Sequence, residues 1–225
     1  MDEKNLYTIL VNYMGSPLYK KLNPKLRSLY NNRKYEAFDK LVKPYQDLAE
    51  LNTKLGFNQH QTVYRGIIFR VKPYEPSWYH TSKDLDAYRE EFPYVKEFLE
   101  IQKGFTTEGS AFPINQLLAT STSRKIGESM AGFINPVNHM TKFLFTLPIL
   151  KKNTNQVNIH KLYKYFNKKY SLDSLGISKD ITDNFLVQVK AIDEILLVPD
   201  RKIVYRIKEV RSVDNIFFIS LSLDR

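Results

Sequence analysis

The sequence predicts an α+β fold, with helices gathered at the front and strands afterwards. Three observations carry that expectation. Apolar residues in the first third recur at three- and four-residue spacing, the period changes at Gln61, and from residue 105 onward short β-branched and aromatic runs alternate with turn signals. Two packed, mainly antiparallel sheets with helices at the side follow from that order. The chain is expected to be one domain over 1–225, with 1–60 as an N-terminal helical part and 61–225 as the β-sheet core.

The elements follow in sequence. Phe38, Leu41, Val42, Tyr45, Leu48, Leu51 and Leu55 form the stripe of an amphipathic helix, and Gly56 is placed to end it. Pro44 sits inside the stripe and predicts a kink or break near Lys43. Residues 62–71 read as a strand, 72–81 as a loop, and 82–102 as one or two short helices with Pro93 at a helix start. Later strands are expected at 116–122, 142–150, 185–189, 194–198, 203–210 and 216–223. Helices are expected at about 124–133 and 159–168. No internal repeat, low-complexity tract or glycine-rich phosphate loop of Rossmann or P-loop type appears.

Composition narrows the classes. Hydrophobic residues at 43%, with fifteen tyrosines and fourteen phenylalanines, can fill an aromatic core. With no cysteine, disulfides and thiolate-held zinc are excluded. The four histidines, His60, His80, His139 and His160, have no metal-ligand spacing, so no metal is expected. The acidic, polar start is not a signal-peptide n-region, and no apolar run is long enough to span a bilayer, so a soluble, non-membrane protein is expected. The net charge of +10 favours an acidic partner: a nucleic acid, an acidic protein surface or a phosphate-bearing ligand. The charge is uneven, because residues 151–170 hold six lysines (151, 152, 161, 164, 168 and 169) and no acid; a solvated face is the plainer reading of such a run, and no RNA- or DNA-reading motif accompanies it.

Three short segments are candidates for chemistry. Arg65, in Thr62-Val63-Tyr64-Arg65-Gly66, offers a guanidinium fork suited to bidentate contact with a phosphate, and Gly66 would let a ligand approach the backbone. An ordinary sheet arginine paired to an acid is the plainer alternative. Ser121-Thr122-Ser123 can fix strand pairing and orient a carboxylate; Ser123 is equally a plausible N-cap for the helix that follows. Glu194 opens the apolar run Ile195-Leu196-Leu197-Val198 and suits either a solvated strand start or stabilisation of an oxocarbenium ion.

Taken in order, these segments resemble the mono-ADP-ribosyltransferases of the Arg–Ser–Glu clade, which includes bacterial exotoxins and enzymes of T4-like phages. Asn12-Tyr13-Met14-Gly15 through Leu22-Asn23 to Leu26-Arg27 is similar to the helical segment that precedes the arginine strand in that clade. The resemblance implies an ADP-ribosyltransferase-like fold around an NAD cleft and transfer of ADP-ribose from NAD to a macromolecular acceptor. A protein side chain, arginine by default, is the implied acceptor. It implies that Arg65 binds the diphosphate side of NAD, that Gly66 offers backbone hydrogen bonds to the carboxamide, and that Ser121 orients Glu194. Thr122 and Ser123 would hold the cleft strands, Phe133 would lie against nicotinamide, and Glu194 would stabilise the cation. The clade carries glutamate or glutamine two residues before the catalytic glutamate; here that position is Ile192. NAD hydrolysis and a partner-binding domain without activity therefore remain alternatives, and the +10 charge with the lysine-rich 151–170 segment keeps a nucleic-acid acceptor as a third. A monomer working in a bacterial or host cytoplasm, phage-encoded, injected or secreted without a signal peptide, is the implied setting.

Overall fold

A computed structural model of the chain describes residues 2–70, 104–131, 140–191, 194–213 and 216–223. The expected helices at 82–102, together with Phe133 and Ile192, lie outside those residues. The chain divides into two compact units, Met1–Val63 with Pro113–Ser123 and Pro148–Val204, and Tyr64–Phe112 with Arg124–Leu147 and Tyr205–Arg225.

The first unit opens with three helices, α1 (Glu3–Gly15), α2 (Leu18–Asn31) and α3 (Tyr35–Lys54). Asp2 caps α1, its carboxylate accepting from the Asn5 N–H at 2.8 Å. The core of this unit gathers Leu6, Tyr7, Leu10, Phe38, Val42, Leu48, Phe166, Phe185 and Leu196, with the Tyr7 and Phe166 rings stacked at 5.0 Å. α3 runs unbroken through Pro44, against the expectation of a break. Val42, Tyr45, Leu48 and Ala49 are buried on both sides of the proline, and their burial outweighs the roughly 3 kcal/mol that an interior proline costs a helix.

Residues 185–189, read from sequence as a strand, lie instead within the helix α6 (Lys179–Ala191). Phe185 and Val189 are buried at i and i+4, whereas Val187 between them is 68% exposed, a helical pattern that the β-branched composition masked. α6 packs closely on α1. A Cβ built at Gly15 would lie 2.1 Å from the Ile181 carbonyl oxygen, so only glycine permits that approach.

Three strands of this unit, β3 (Leu118–Ser121), β5 (Gln156–Asn158) and β6 (Glu194–Leu197), pair antiparallel in the order β3-β6-β5. The short β5 was not expected from sequence. A buried amide network holds it: Asn52 donates to Asn58 Oδ1 at 2.6 Å and accepts from the Asn158 N–H at 2.9 Å, while Gln156 donates to the Leu150 and Gln59 carbonyls. Asn158 in turn caps α5 (Ile159–Asn167) by accepting from the Lys161 N–H at 3.0 Å.

The second unit carries strands in the order β2-β7-β8-β4-β1, where β1 is Gln61–Arg70, β2 Ala111–Pro113, β4 Met140–Ile149, β7 Val204–Val213 and β8 Ile216–Leu223. β4 and β8 are parallel, from Lys142 opposite Ile216 to Thr146 opposite Ser220. β7 and β8 form an antiparallel hairpin with an irregularity between Ile207 and Glu209. Phe105, Phe112, Phe143, Phe145 and Phe217 cluster here, with ring centroids 5.0–5.7 Å apart along the chain of contacts.

Helix α4 (Arg124–Met130) follows the hydroxyl triplet and lies against β1. A Cβ at Gly66 would fall 2.1 Å from the Gly127 carbonyl oxygen and 2.2 Å from the Ala131 nitrogen, and one at Gly127 would fall 2.7 Å from the Tyr64 Cβ. The two glycines therefore let strand and helix backbones touch.

Candidate active site

The register of β3 against β6 places Ser121 directly opposite Glu194, at the end of the pair. Directly opposed residues of antiparallel strands present their side chains on the same face, with Cβ atoms about 5 Å apart. Both residues are withdrawn from solvent, Ser121 fully and Glu194 to 5% exposure. A carboxylate so buried requires a hydrogen-bonding environment, and the facing hydroxyl is chemically suited to supply part of one.

The orientation of Ser121 is set locally. The Ser123 N–H donates to Ser121 Oγ at 3.1 Å, a turn in which the serine hydroxyl accepts from the backbone two residues on. The triplet's first serine is thus fixed by its third, before α4 begins at Arg124.

Three further residues hold this corner that the sequence did not single out for chemistry. Thr120 is fully buried and donates through Oγ1 to the Ile195 carbonyl at 2.6 Å, which ties β3 to β6 one residue from the Ser121–Glu194 pair. Asn23 of α2 grips the start of the same strand with both ends of its amide. Nδ2 donates to the Leu117 carbonyl at 3.1 Å, and Oδ1 accepts from the Leu117 N–H at 3.2 Å. Arg27, one turn further along α2, donates through Nη1 to the Gln116 side-chain oxygen. A hydroxyl closing the apolar run Leu117-Leu118-Ala119 was the available signal for Thr120.

Arg65 and Gly66 belong to β1 in the second unit. Because side chains alternate along a strand, Tyr64 and Gly66 face α4 while Arg65 faces the other side with Val63 and Ile67. Gly66 thus has a packing reason for being glycine beside the binding role read from sequence. Thr122 and Ser123 are partly buried beyond the end of β3, and Phe133 lies outside the described residues.

A cleft of about 490 Å³ lies elsewhere in the first unit, between α3 and residues 198–202, bordered by Asp39, Glu50, Asn155 and Arg201. None of the residues singled out for chemistry lines it. Among the described residues, no group of three or more His, Asp or Glu side chains is placed to hold a metal ion, and no helix is long and apolar enough to cross a membrane.

No family model and no curated protein matches the sequence. Among solved structures the chain is similar to C3stau2 from S. aureus, determined with NAD, at a TM-score of 0.51 and 17% identity, covering 100% of this chain and 88% of that one. It is also similar to the Vis toxin, an ADP-ribosyltransferase from Vibrio splendidus (TM-score 0.47, 15% identity, 97% of this chain and 72% of that one). A third similarity is to the C3 exoenzyme of Clostridium limosum (TM-score 0.44, 16% identity, 99% and 85%).

Proposed function

We propose, from the ADP-ribosyltransferase fold that this chain shares with C3stau2, that it cleaves NAD and transfers ADP-ribose to a protein side chain. The observation that carries this reading is the pairing of a fully buried serine with a buried glutamate across β3 and β6.

The chemistry follows from what such a pair can do. In NAD the bond between the ribose C1′ and the nicotinamide nitrogen breaks with its electron pair leaving on nicotinamide, and positive charge develops on the ribose. Glu194, held as a carboxylate by Ser121, would accept a hydrogen bond from the 2′-hydroxyl and stabilise that charge. Arg65 would take the diphosphate through its guanidinium fork, with Gly66 beside it at the carboxamide. Thr122, Ser123 and Phe133 would complete the NAD surface. The acceptor's nucleophilic atom then bonds to C1′ as its proton passes to solvent or a nearby base. Arginine is the default acceptor.

Ile192 favours a second reading, NAD hydrolysis with water as the acceptor, because an isoleucine cannot deprotonate or hydrogen-bond an incoming side chain. Incubating the chain and a lysate with NAD labelled on its adenylate distinguishes the two. Transfer labels protein bands that survive nuclease, whereas hydrolysis yields only free labelled ADP-ribose. Label lost on nuclease treatment would make a nucleic acid the acceptor. An absence of NAD turnover under all conditions would leave a partner-binding domain and sink the enzymatic reading.

A further inference from the structure

The lysine-rich segment takes a definite form in the first unit. Lys161, Lys164 and Lys168 fall at i, i+3 and i+7 along α5 and its C-cap, all exposed. Ile159, Leu162 and Phe166 form the matching buried stripe, offset by two residues and so on the opposite side of the helix. At a rise of about 1.5 Å per residue the three ammonium groups mark out a line of about 10 Å.

The line continues onto the turn before β5. Asn58 donates to the carbonyls of Lys151 and Asn153 at 3.2 and 3.1 Å, which joins that turn to the loop bearing Phe57. Lys161 lies over the Phe57 ring at 5.9 Å, which brings the same loop against α5. Lys151 and Lys152 are both exposed there. Residues 151–170 contain no acid, and among the described residues none of these five lysines has a carboxylate within ion-pair distance. Other cations of the unit are engaged: Lys169 with Glu3 at 2.8 Å, Lys43 with Asp47 at 2.7 Å, and Arg201 with Asp39 at 2.7 Å.

We propose that this face, Lys161, Lys164 and Lys168 with Lys151 and Lys152, docks the phosphate backbone of a nucleic acid. Like charges at helical spacing repel, and a polyanion relieves that repulsion while releasing its condensed counterions. The composition of the face selects the partner. Protein–protein interfaces need a desolvated centre, and the exposed large apolar side chains among the described residues, Leu18, Val187 and Val213, all lie outside this segment. Nucleic-acid interfaces are carried by charge and need no such centre. With no base-reading motif on the face, binding is not sequence-selective. The face lies on the side of α5 away from the buried stripe and uses neither Ser121 nor Glu194, so it stands or falls apart from NAD chemistry.

The test is fluorescence anisotropy of the full chain with a labelled 20-nucleotide single-stranded RNA and a 20-base-pair DNA duplex. Binding should weaken about 20-fold or more between 50 and 200 mM salt, as three to five phosphate contacts require. The variant Lys161→Glu/Lys164→Glu/Lys168→Glu should lose about 10-fold or more in affinity and flatten the salt slope by about two to three units. A charge-matched control, Lys40→Glu/Lys179→Glu/Lys208→Glu, should stay within about 3-fold of wild type, with circular dichroism confirming the fold of both. If the α5 charge reversal unfolds the chain, the same three positions changed to glutamine should show the loss. Glu194→Gln should bind as the wild type does. Three results overturn the proposal: no binding by the wild type, equal losses in the α5 and control variants, or equally tight binding of labelled poly-glutamate.

Discussion

Thr120 spends its single hydroxyl on the Ile195 carbonyl, and that bond lies next to the two residues proposed to act on NAD. Thr120→Val keeps the shape and removes the donor. The cost in stability should be about 1 kcal/mol, but nicotinamide release should fall roughly 10-fold through kcat, since displacement by a fraction of an ångström is enough. Thr120→Ser should restore the rate; a role confined to stability would move Tm without moving kcat. Gly66 makes a different demand. Its added methyl would sit 2.1 Å from a backbone oxygen of α4, which a side-chain adjustment cannot relieve. Gly66→Ala should therefore destabilise by about 3 kcal/mol, a Tm loss of roughly 6–12 °C by calorimetry. An unchanged Tm would refute the close packing of strand on helix.

At the scale of elements, α2 acts as a brace for β3. Asn23 meets both backbone groups of Leu117, so Asn23→Leu should cost about 1–3 kcal/mol and lower NAD turnover. Asn23→Asp keeps the acceptor for the Leu117 N–H but loses the donor, and should fall between wild type and leucine in a melting series. This bracing gives the Leu22-Asn23 to Leu26-Arg27 segment a physical meaning that its spacing alone did not carry. Other elements were legible because their local patterns agreed with their packing. The stripe from Phe38 to Leu55 became α3, and the run at 216–223 became β8 with the same bounds. Misreadings arose where context overruled composition. Phe185-Leu186-Val187-Gln188-Val189 has strand propensity, yet α6 forms because Phe185 and Val189 fill the core beside Tyr7 and α1. Three-residue strands such as β5 have too little sequence to show a period, and β5 exists through the Asn52, Asn58 and Gln156 amides. The opposition of Ser121 to Glu194 was expected only through resemblance, because strand register across 73 positions is a property of the whole sheet.

For the whole molecule, the buried phenols set a limit at high pH. Burial raises the Tyr45 pKa from its ordinary 10.0 to about 12, and burial raises that of Tyr7 as well. Each group binds its proton more tightly folded than unfolded. Their contribution is fully present below about pH 10 and is lost as pH climbs from 10 toward 12, at about 1.4 kcal/mol per pH unit for each tyrosine. Urea midpoints measured between pH 9 and 12 should decline from about pH 10 upward, and Tyr45→Phe should shallow the decline. The catalytic reading gathers the whole chain into one claim, that NAD is broken at a carboxylate held by a facing serine. Steady-state nicotinamide release by wild type and Glu194→Gln, with matched melting temperatures, tests it most directly. The account predicts a loss of about 100-fold or more in kcat for the glutamine variant, with its fold intact. Equal rates from the two folded proteins would contradict it.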